Sequence, residues 1–275
     1  TGVFVRSPYP EISSSGEERP LKVYFIGAGP GDVELMTIKG HRQLHACSYV
    51  MHAGSLINPE ILSALPESTQ IHDTSKLNLE EQVAIYKEAQ GVDQDVARLQ
   101  SGDLSIYGAI AEQMRALDEI GIEYEVTPGV SSVAASAATL KSELTLPEIS
   151  QTVIFSRISG RTKVPPDEEL EKLASHKCTL CLFLSIHKIK DVAKKLSIHY
   201  PIETPVVVVY KASWKDEKII RGNLETIADK VEAEGIRLTA LILVGAVLDA
   251  KDFKDSRLYS KEYSHLFRKK DASPQ

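Results

Sequence analysis

The chain has 275 residues, 43% hydrophobic and 25% charged, the balance of a globular protein with one large or two ordinary domains. Thirty-eight acids against 32 bases give a net charge of −6, which leans away from a protein built to hold nucleic-acid backbone but allows a local basic cleft. The longest strongly apolar run, 239–248, is shorter than the roughly 20 residues a membrane helix needs, and three cysteines suit a reducing cytoplasm better than a disulfide framework.

Residues 1–20 are rich in turn formers without an apolar period and read as a tail. They begin without Met, as expected of a processed chain, and show no charged-then-apolar leader. A buried strand is expected at 21–28, a helix at 34–46, a short strand at 48–51 and a short helix at 59–65. An amphipathic helix at 79–90 leads to a strand near 96–100, then a helix at 106–119. A strand at 123–126 and a small-residue helix at 130–140 complete the first half. This alternation predicts a parallel sheet wrapped by helices.

The second half changes character. Strand patterns rich in Val, Ile and Leu recur at 152–157, 179–185, 206–211, 218–222 and 240–247, with helices at 168–174, 189–196 and 224–235. Residues 211–221 read as a hairpin, because 214–217 is turn chemistry between two strand patterns. The boundary is expected near 146–151. The reading is therefore α/β, with two α/β domains at 21–147 and 148–249 and a polar tail at 250–275. Tyr259, Tyr263, Leu266 and Phe267 leave open a short docking helix in that tail.

Three strand-end motifs have the composition of ligand loops. Gly27-Ala28-Gly29-Pro30-Gly31-Asp32 follows the first strand; its glycines allow a sharp turn and close approach of backbone, and Pro30 stiffens it. It is not the Gly-x-Gly-x-x-Gly dinucleotide loop, since Asp32, Val33 and Glu34 follow, and no acid near position 50 is placed to hold a ribose. It lacks the Gly-Lys-Ser/Thr of a P-loop. Ser101-Gly102-Asp103-Leu104-Ser105-Ile106-Tyr107-Gly108 is the second motif, where Asp103 either caps a helix or faces a ligand. Thr127-Pro128-Gly129-Val130-Ser131-Ser132 is the third, with one hydroxyl more than capping requires. Three such loops at carboxyl ends of parallel strands mark the crevice where open α/β sheets bind ligands.

Together these loops resemble the tetrapyrrole methylases, a family that uses S-adenosylmethionine without a Rossmann methyltransferase fold. The resemblance runs from Lys22 to Asp249. The stretches 144–147, 159–162, 176–179, 205–214, 216–218 and 235–237 narrow it to the branch that methylates carbon 11 of precorrin-4, or its cobalt form, in cobalamin synthesis. One departure is Leu104, where the family carries Pro. The resemblance implies a homodimer of two-domain subunits with the cofactor folded in a cleft between domains. It also implies a tetrapyrrole substrate, no membrane and no nucleic acid. Carried over by position, Pro30 floors the cofactor site, and Ser101, Gly102 and Asp103 meet its ribose and amino-acid part. Ile106, Ser131 and Ser132 line the methionine end, while Leu184, Tyr210, Ala212 and Ala240 enclose the adenine.

A sulfonium methyl is already a strong electrophile, so alignment and exclusion of water supply most of the rate enhancement. Neither a protein-bound metal nor a catalytic triad is expected. Asp103 is the candidate for positioning, and less so for proton transfer. The substrate's acetates and propionates call for local positive charge. Arg157, Arg161 and Lys163 are first candidates, with Lys211 and Arg237 second; each reads equally well as a solvated surface charge.

Other motifs are blander. Cys178 and Cys181 form a Cys-x-x-Cys inside a strand pattern, which points to buried packing. His41 and His45 have helical spacing but lack a third ligand. Methylation of uroporphyrinogen III or another precorrin, a nicotinamide oxidoreductase and a non-catalytic tetrapyrrole carrier remain alternative readings. Diphthamide or ribosomal RNA methylation is disfavoured by the acidic charge.

Overall fold

The computed structural model describes residues 21–160, 162–251 and Lys254. The first tail, Arg161 and most of 250–275, including the suggested docking helix, lie outside the described residues. The chain divides into two compact units, Thr1–Ala135 with Ser213–Lys215, and Ser136–Ala212 with Asp216–Gln275. This division falls earlier than the boundary expected near 146–151.

In the first unit β1 (Lys22–Gly27), β2 (Tyr49–His52), β3 (Gln70–Asp73), β4 (Val96–Gln100) and β5 (Glu123–Thr127) form a parallel sheet in the order β3-β2-β4-β1-β5. Its helices are α1 (Ile38–Ala46), α2 (Pro59–Ser63), α3 (Leu79–Gly91) and α4 (Ala111–Glu119). Period-2 alternation sorts the core. Tyr24 and Ile26 join Leu44 of α1 and Ile61 of α2, whereas Val23 and Phe25 join Ile85 and Tyr86 of α3 and Leu117 of α4. Each such side chain, fully buried, contributes about 1.5–3 kcal/mol. The chain leaves β1 toward β2 and leaves β4 toward β5, in opposite directions, which opens a crevice at their carboxyl ends.

Local chemistry sets the helix starts. The Thr37 hydroxyl accepts from the Gly40 amide at 3.1 Å and begins α1, so the helix expected at 34–46 is a short 3-10 turn, Val33–Leu35, followed by α1. Asn78 and Glu81 form a reciprocal capping box on α3. The helix expected from 106 begins only at Ala111. Tyr107 and Ala109 have φ of 58° and 49°, and a Cβ on Gly108 would stand 2.3 Å from the Leu104 carbonyl, so the chain turns there instead of coiling. Strand β3 was not expected, because Gln70-Ile-His-Asp73 is a mostly exposed edge without apolar alternation. Helix α5 (Ser132–Leu140) spans the division.

The second unit holds a mixed sheet of β6 (Val153–Ser156), β7 (Thr179–Leu182), β8 (Pro205–Tyr210), β9 (Lys218–Asn223) and β10 (Ala240–Val244), in the order β6-β7-β10-β8-β9. Strands β6 and β7 are parallel, and β10 is antiparallel to both β7 and β8. Strands β8 and β9 form the expected hairpin, paired from Pro205↔Asn223 to Tyr210↔Lys218. Helices α6 (Leu170–Ala174), α7 (Ile189–Leu196) and α8 (Ile227–Ala233) bury Leu170, Val192, Leu196 and Val231 against Leu180, Val208 and Ile242. Because β10 is reversed, the carboxyl ends of β6, β7 and β8 share one sheet end with the start of β10. No described helix is long and apolar enough to cross a membrane.

Candidate functional site

The three glycine loops sit at the carboxyl ends of β4, β1 and β5, which are neighbours in the sheet. They are joined backbone to backbone. The Gly102 amide donates to the Gly29 carbonyl at 2.7 Å, the Gly29 amide returns a bond to Gly102 at 3.3 Å, and the Ala28 amide donates to Gln100 at 2.8 Å. A Cβ on Gly129 would lie 2.2 Å from the Gly102 carbonyl oxygen and 2.7 Å from Gly27 Cα. No side chain fits there, which is why each strand end bears a glycine.

Gly102 is different. Its φ is +69°, yet a Cβ there would meet nothing nearer than the Ser132 nitrogen and Val130 oxygen, both at 3.9 Å. These are ordinary contact distances, so the positive φ and not a lack of room calls for glycine here, and the third loop packs directly over this buried backbone. Ser101, Ile106, Ser131 and Ser132 are half-buried around the same loops. The Ser131 hydroxyl accepts from the Val133 amide at 3.3 Å and begins α5.

Asp103 is committed to the loops. Its Oδ1 accepts from the Ser105 amide at 2.9 Å and from the Ser105 hydroxyl, and its Oδ2 accepts from the Gly129 amide at 3.1 Å. Burial pushes its pKa up, but the bonds from Ser105, Gly129 and Leu104 outweigh burial and hold the carboxyl below its usual range. It stays ionised and ties the second loop to the third. Leu104 is buried among the residues under α3 and α4.

Pro30 is buried, and its carbonyl accepts from the Trp214 indole at 2.8 Å. A Cβ on Gly31 would collide with that indole at 2.0 Å. Asn58 donates to the Gly31 carbonyl at 2.8 Å, and the Ser213 hydroxyl accepts from the Asp32 amide at 3.0 Å. Trp214 belongs to this loop's structure, a role that its turn-like sequence context gave no means of reading.

In the second unit Leu184, Tyr210, Ala212 and Ala240 come to one sheet end. Ala240 pairs with Tyr210, and Leu184 lies just beyond the end of β7. Leu184 is 64% exposed with φ of 52°, an apolar side chain presented to the outside on strained backbone. Arg157 shares this end: its Nη1 donates to the Thr162 carbonyl at 2.9 Å, and the next amide, Ile158, donates to the Ser185 hydroxyl at 2.8 Å. Lys163 is exposed. Lys211 pairs with Asp216 at 2.6 Å and lies 5.5 Å from the Tyr210 ring centroid. Arg237 lines a separate cavity of about 460 Å³ with His187 and Glu232. No described contact joins Arg237 to the Arg157 loop.

Sequence reading missed Arg98. It is 4% exposed on β4, and the available signal was a lone Arg in an otherwise apolar strand. Cys178 and Cys181 are both buried, and burial pushes the Cys181 thiol up to about 12. The His41 and His45 rings stack, with centroids 4.1 Å apart.

Fold and loops define a two-sheet α/β protein with three joined glycine loops at the carboxyl ends of its parallel sheet. Residues 22–228 match the family model for Tetrapyrrole (Corrin/Porphyrin) Methylases, and the chain belongs to that family. A precorrin-4 C(11)-methyltransferase from Pseudomonas aeruginosa is 48% identical over 248 residues, which span 90% of this chain and 99% of the relative. A solved cobalt precorrin-4 methyltransferase superposes with a TM-score of 0.81 at 43% identity, covering 83% of this chain and 96% of that one. The uroporphyrin-III C-methyltransferase of Thermus thermophilus, solved with S-adenyl homocysteine, matches with a TM-score of 0.70 at 26% identity, covering 86% and 96%.

Proposed function

We propose that the chain transfers a methyl group from S-adenosylmethionine to carbon 11 of precorrin-4 or cobalt-precorrin-4, in cobalamin synthesis. The observation behind this reading is the set of glycine loops joined backbone to backbone at neighbouring strand ends, in a chain 48% identical over 248 residues to a precorrin-4 C(11)-methyltransferase. When bound, the donor supplies an electrophilic methyl on sulfur. Ser101, Gly102, Ile106, Ser131 and Ser132 hold the donor's ribose and methionine parts, over a floor made by Pro30. Leu184, Tyr210, Ala212 and Ala240, from the second unit, take the adenine. Asp103 acts as a positioning group, since its bonds to Ser105 and Gly129 fix the loops. With both its oxygens engaged, it is poorly placed to remove a proton.

The protein's work is then to hold two reactants in line and keep water out. Arg157, Arg161, Lys163, Lys211 and Arg237 are the proposed partners of substrate carboxylates. Of these, Arg157 and Lys211 lie at the same sheet end as the adenine group. The same reading includes a cytoplasmic homodimer, which light scattering and cell fractionation check. Titrating the protein with S-adenosylhomocysteine in a calorimeter tests the donor assignment. Tritiated methyl transfer to precorrin-4, with and without cobalt, tests the reaction. Absence of both binding and transfer would overturn the proposal.

A further inference from the structure

Arg98 is a buried cation that forms no ion pair among the described residues. It projects from β4 on the side covered by α3 and α4, where its Nε donates to Gln113 Oε1 at 2.9 Å and its Nη2 to Gln82 Oε1 at 3.1 Å. Nη1 has no hydrogen-bond partner among the described residues. No ion pair joins Arg98 to a described carboxylate; its partners are two neutral amides, with the Tyr86 hydroxyl also interacting with it. Those amides are fixed from behind: Gln113 donates to the Ala109 carbonyl at 2.9 Å, and Gln82 to the Leu77 carbonyl at 3.2 Å. The Tyr86 hydroxyl adds a bond to Gln113 at 3.0 Å. A guanidinium taken out of water and left unpaired is costly, so a fold that builds a rigid polar frame around one has a reason outside its own core.

The surroundings supply that reason. Arg98 lines a cavity of about 570 Å³ at the carboxyl ends of β2, β3 and β4, together with Thr74, Asn78, Gln100 and the turn after the Gly102-Asp103 loop, Tyr107–Ala109. Its lining is largely neutral, and its one acid, Glu112, is exposed. We propose that this cavity is a carboxylate pocket, in which Arg98 receives one acetate or propionate arm of the tetrapyrrole and so fixes which ring edge enters the site. This rests on the methyltransferase reading above and adds a substrate contact in the first unit, beyond the basic candidates of the second. A planar fork is suited to a carboxylate in a way that an ammonium is not.

The test measures tritiated methyl transfer to precorrin-4 with wild type, Arg98→Lys, Arg98→Met and Gln82→Glu, with S-adenosylhomocysteine calorimetry on each. Arg98→Met should raise KM for the tetrapyrrole at least about 30-fold, as loss of a buried charge partner does. Its kcat and S-adenosylhomocysteine affinity should stay near wild type, and Arg98→Lys should fall between. Gln82→Glu is nearly isosteric, though it gives up the donor to the Leu77 carbonyl, and with its own melting curve it safeguards the test if Arg98 variants fold poorly. It places a permanent carboxylate on the guanidinium and should raise KM about tenfold by competing with the substrate's own. Unchanged KM in Gln82→Glu, or loss in Arg98 variants that tracks melting temperature alone, would overturn the pocket and make Arg98 structural. If wild type itself neither binds S-adenosylhomocysteine nor transfers methyl, the functional reading fails first, a different result from active protein with unmoved KM.

Discussion

Replacing Asp103 with Ala removes the acceptor that the Ser105 and Gly129 amides share. Hydrogen bonds to an ionised group contribute about 1.5–3 kcal/mol each when desolvated. Asp103 is only half-buried, so solvent takes part of that, and a net loss of about 2–4 kcal/mol is expected. The loss falls on two loops and not on the sheets. Most of it therefore appears as loop order that S-adenosylhomocysteine must restore on binding, weakening Kd by about 10–100-fold. Asp103→Asn keeps one acceptor but turns an amide donor toward an N–H, so it falls between.

The pH dependence has a definite sign. The folded carboxyl lies below its unfolded value of about 3.9, so its stabilisation is fully present above that value and is lost as pH falls through the folded pKa. The melting difference between wild type and Asp103→Asn should hold from pH 7 down to about 4 and shrink below it. Calorimetry at pH 7 and melting curves from pH 3 to 7 measure both effects. A well-folded Asp103→Ala that binds S-adenosylhomocysteine within twofold of wild type would refute the loop-tie argument.

Other substitutions probe the same frame. Gly129→Ala drives a methyl into the Gly102 carbonyl and should cost about 3 kcal/mol or more in melting experiments. Gly91→Ala has open space around it at the end of α3 and should stabilise the fold by about 0.5–1 kcal/mol. Trp214 is the single tryptophan and bonds to Pro30. Its fluorescence should change on titration with S-adenosylhomocysteine, and Trp214→Phe should abolish that signal while weakening binding. The three cysteines are buried, so a thiol reagent at pH 8 should label the native protein slowly and all three rapidly in denaturant.

Sequence periodicity was enough to find nearly every strand, because β1, β4, β8 and β10 are buried on both faces or alternate cleanly. It failed at β3, whose pairing is a backbone matter at an exposed edge, and at the start of α4, where Tyr107 and Ala109 adopt conformations their side chains do not announce. The glycine loops were legible as motifs, but not as one object. That Gly27, Gly102 and Gly129 touch follows from the strand order β4-β1-β5, which no local pattern encodes. Arg98 was visible only as an anomaly, since its lack of an acidic partner among the described residues depends on what α3 and α4 bring to it.

Left-handed non-glycine backbone is concentrated at one end of the second sheet, with Lys177 at φ 52° the single such residue flanking the other end. Leu184, Lys211, Ser213 and Thr239 all have φ between 47° and 67°, and all lie just past β7, just past β8 or just before β10. A non-glycine residue held in that region costs of order 1–3 kcal/mol, so such a group persists only where the surrounding structure over-determines it. The Lys211 amide donates to the Thr239 carbonyl at 2.9 Å, fastening two of the strained residues to each other. Their sheet neighbours Val208, Val209, Leu241 and Ile242 are buried and fully paired. The rigid sheet thus holds a strained rim in place, and the rim presents Leu184, Tyr210, Ala212 and Ala240. Side chains kept here at a cost in backbone energy have a use beyond the fold, and relief of that strain by Leu184→Gly should raise the melting temperature while weakening S-adenosylhomocysteine binding. Stabilisation without any loss of binding would show the rim to be idle.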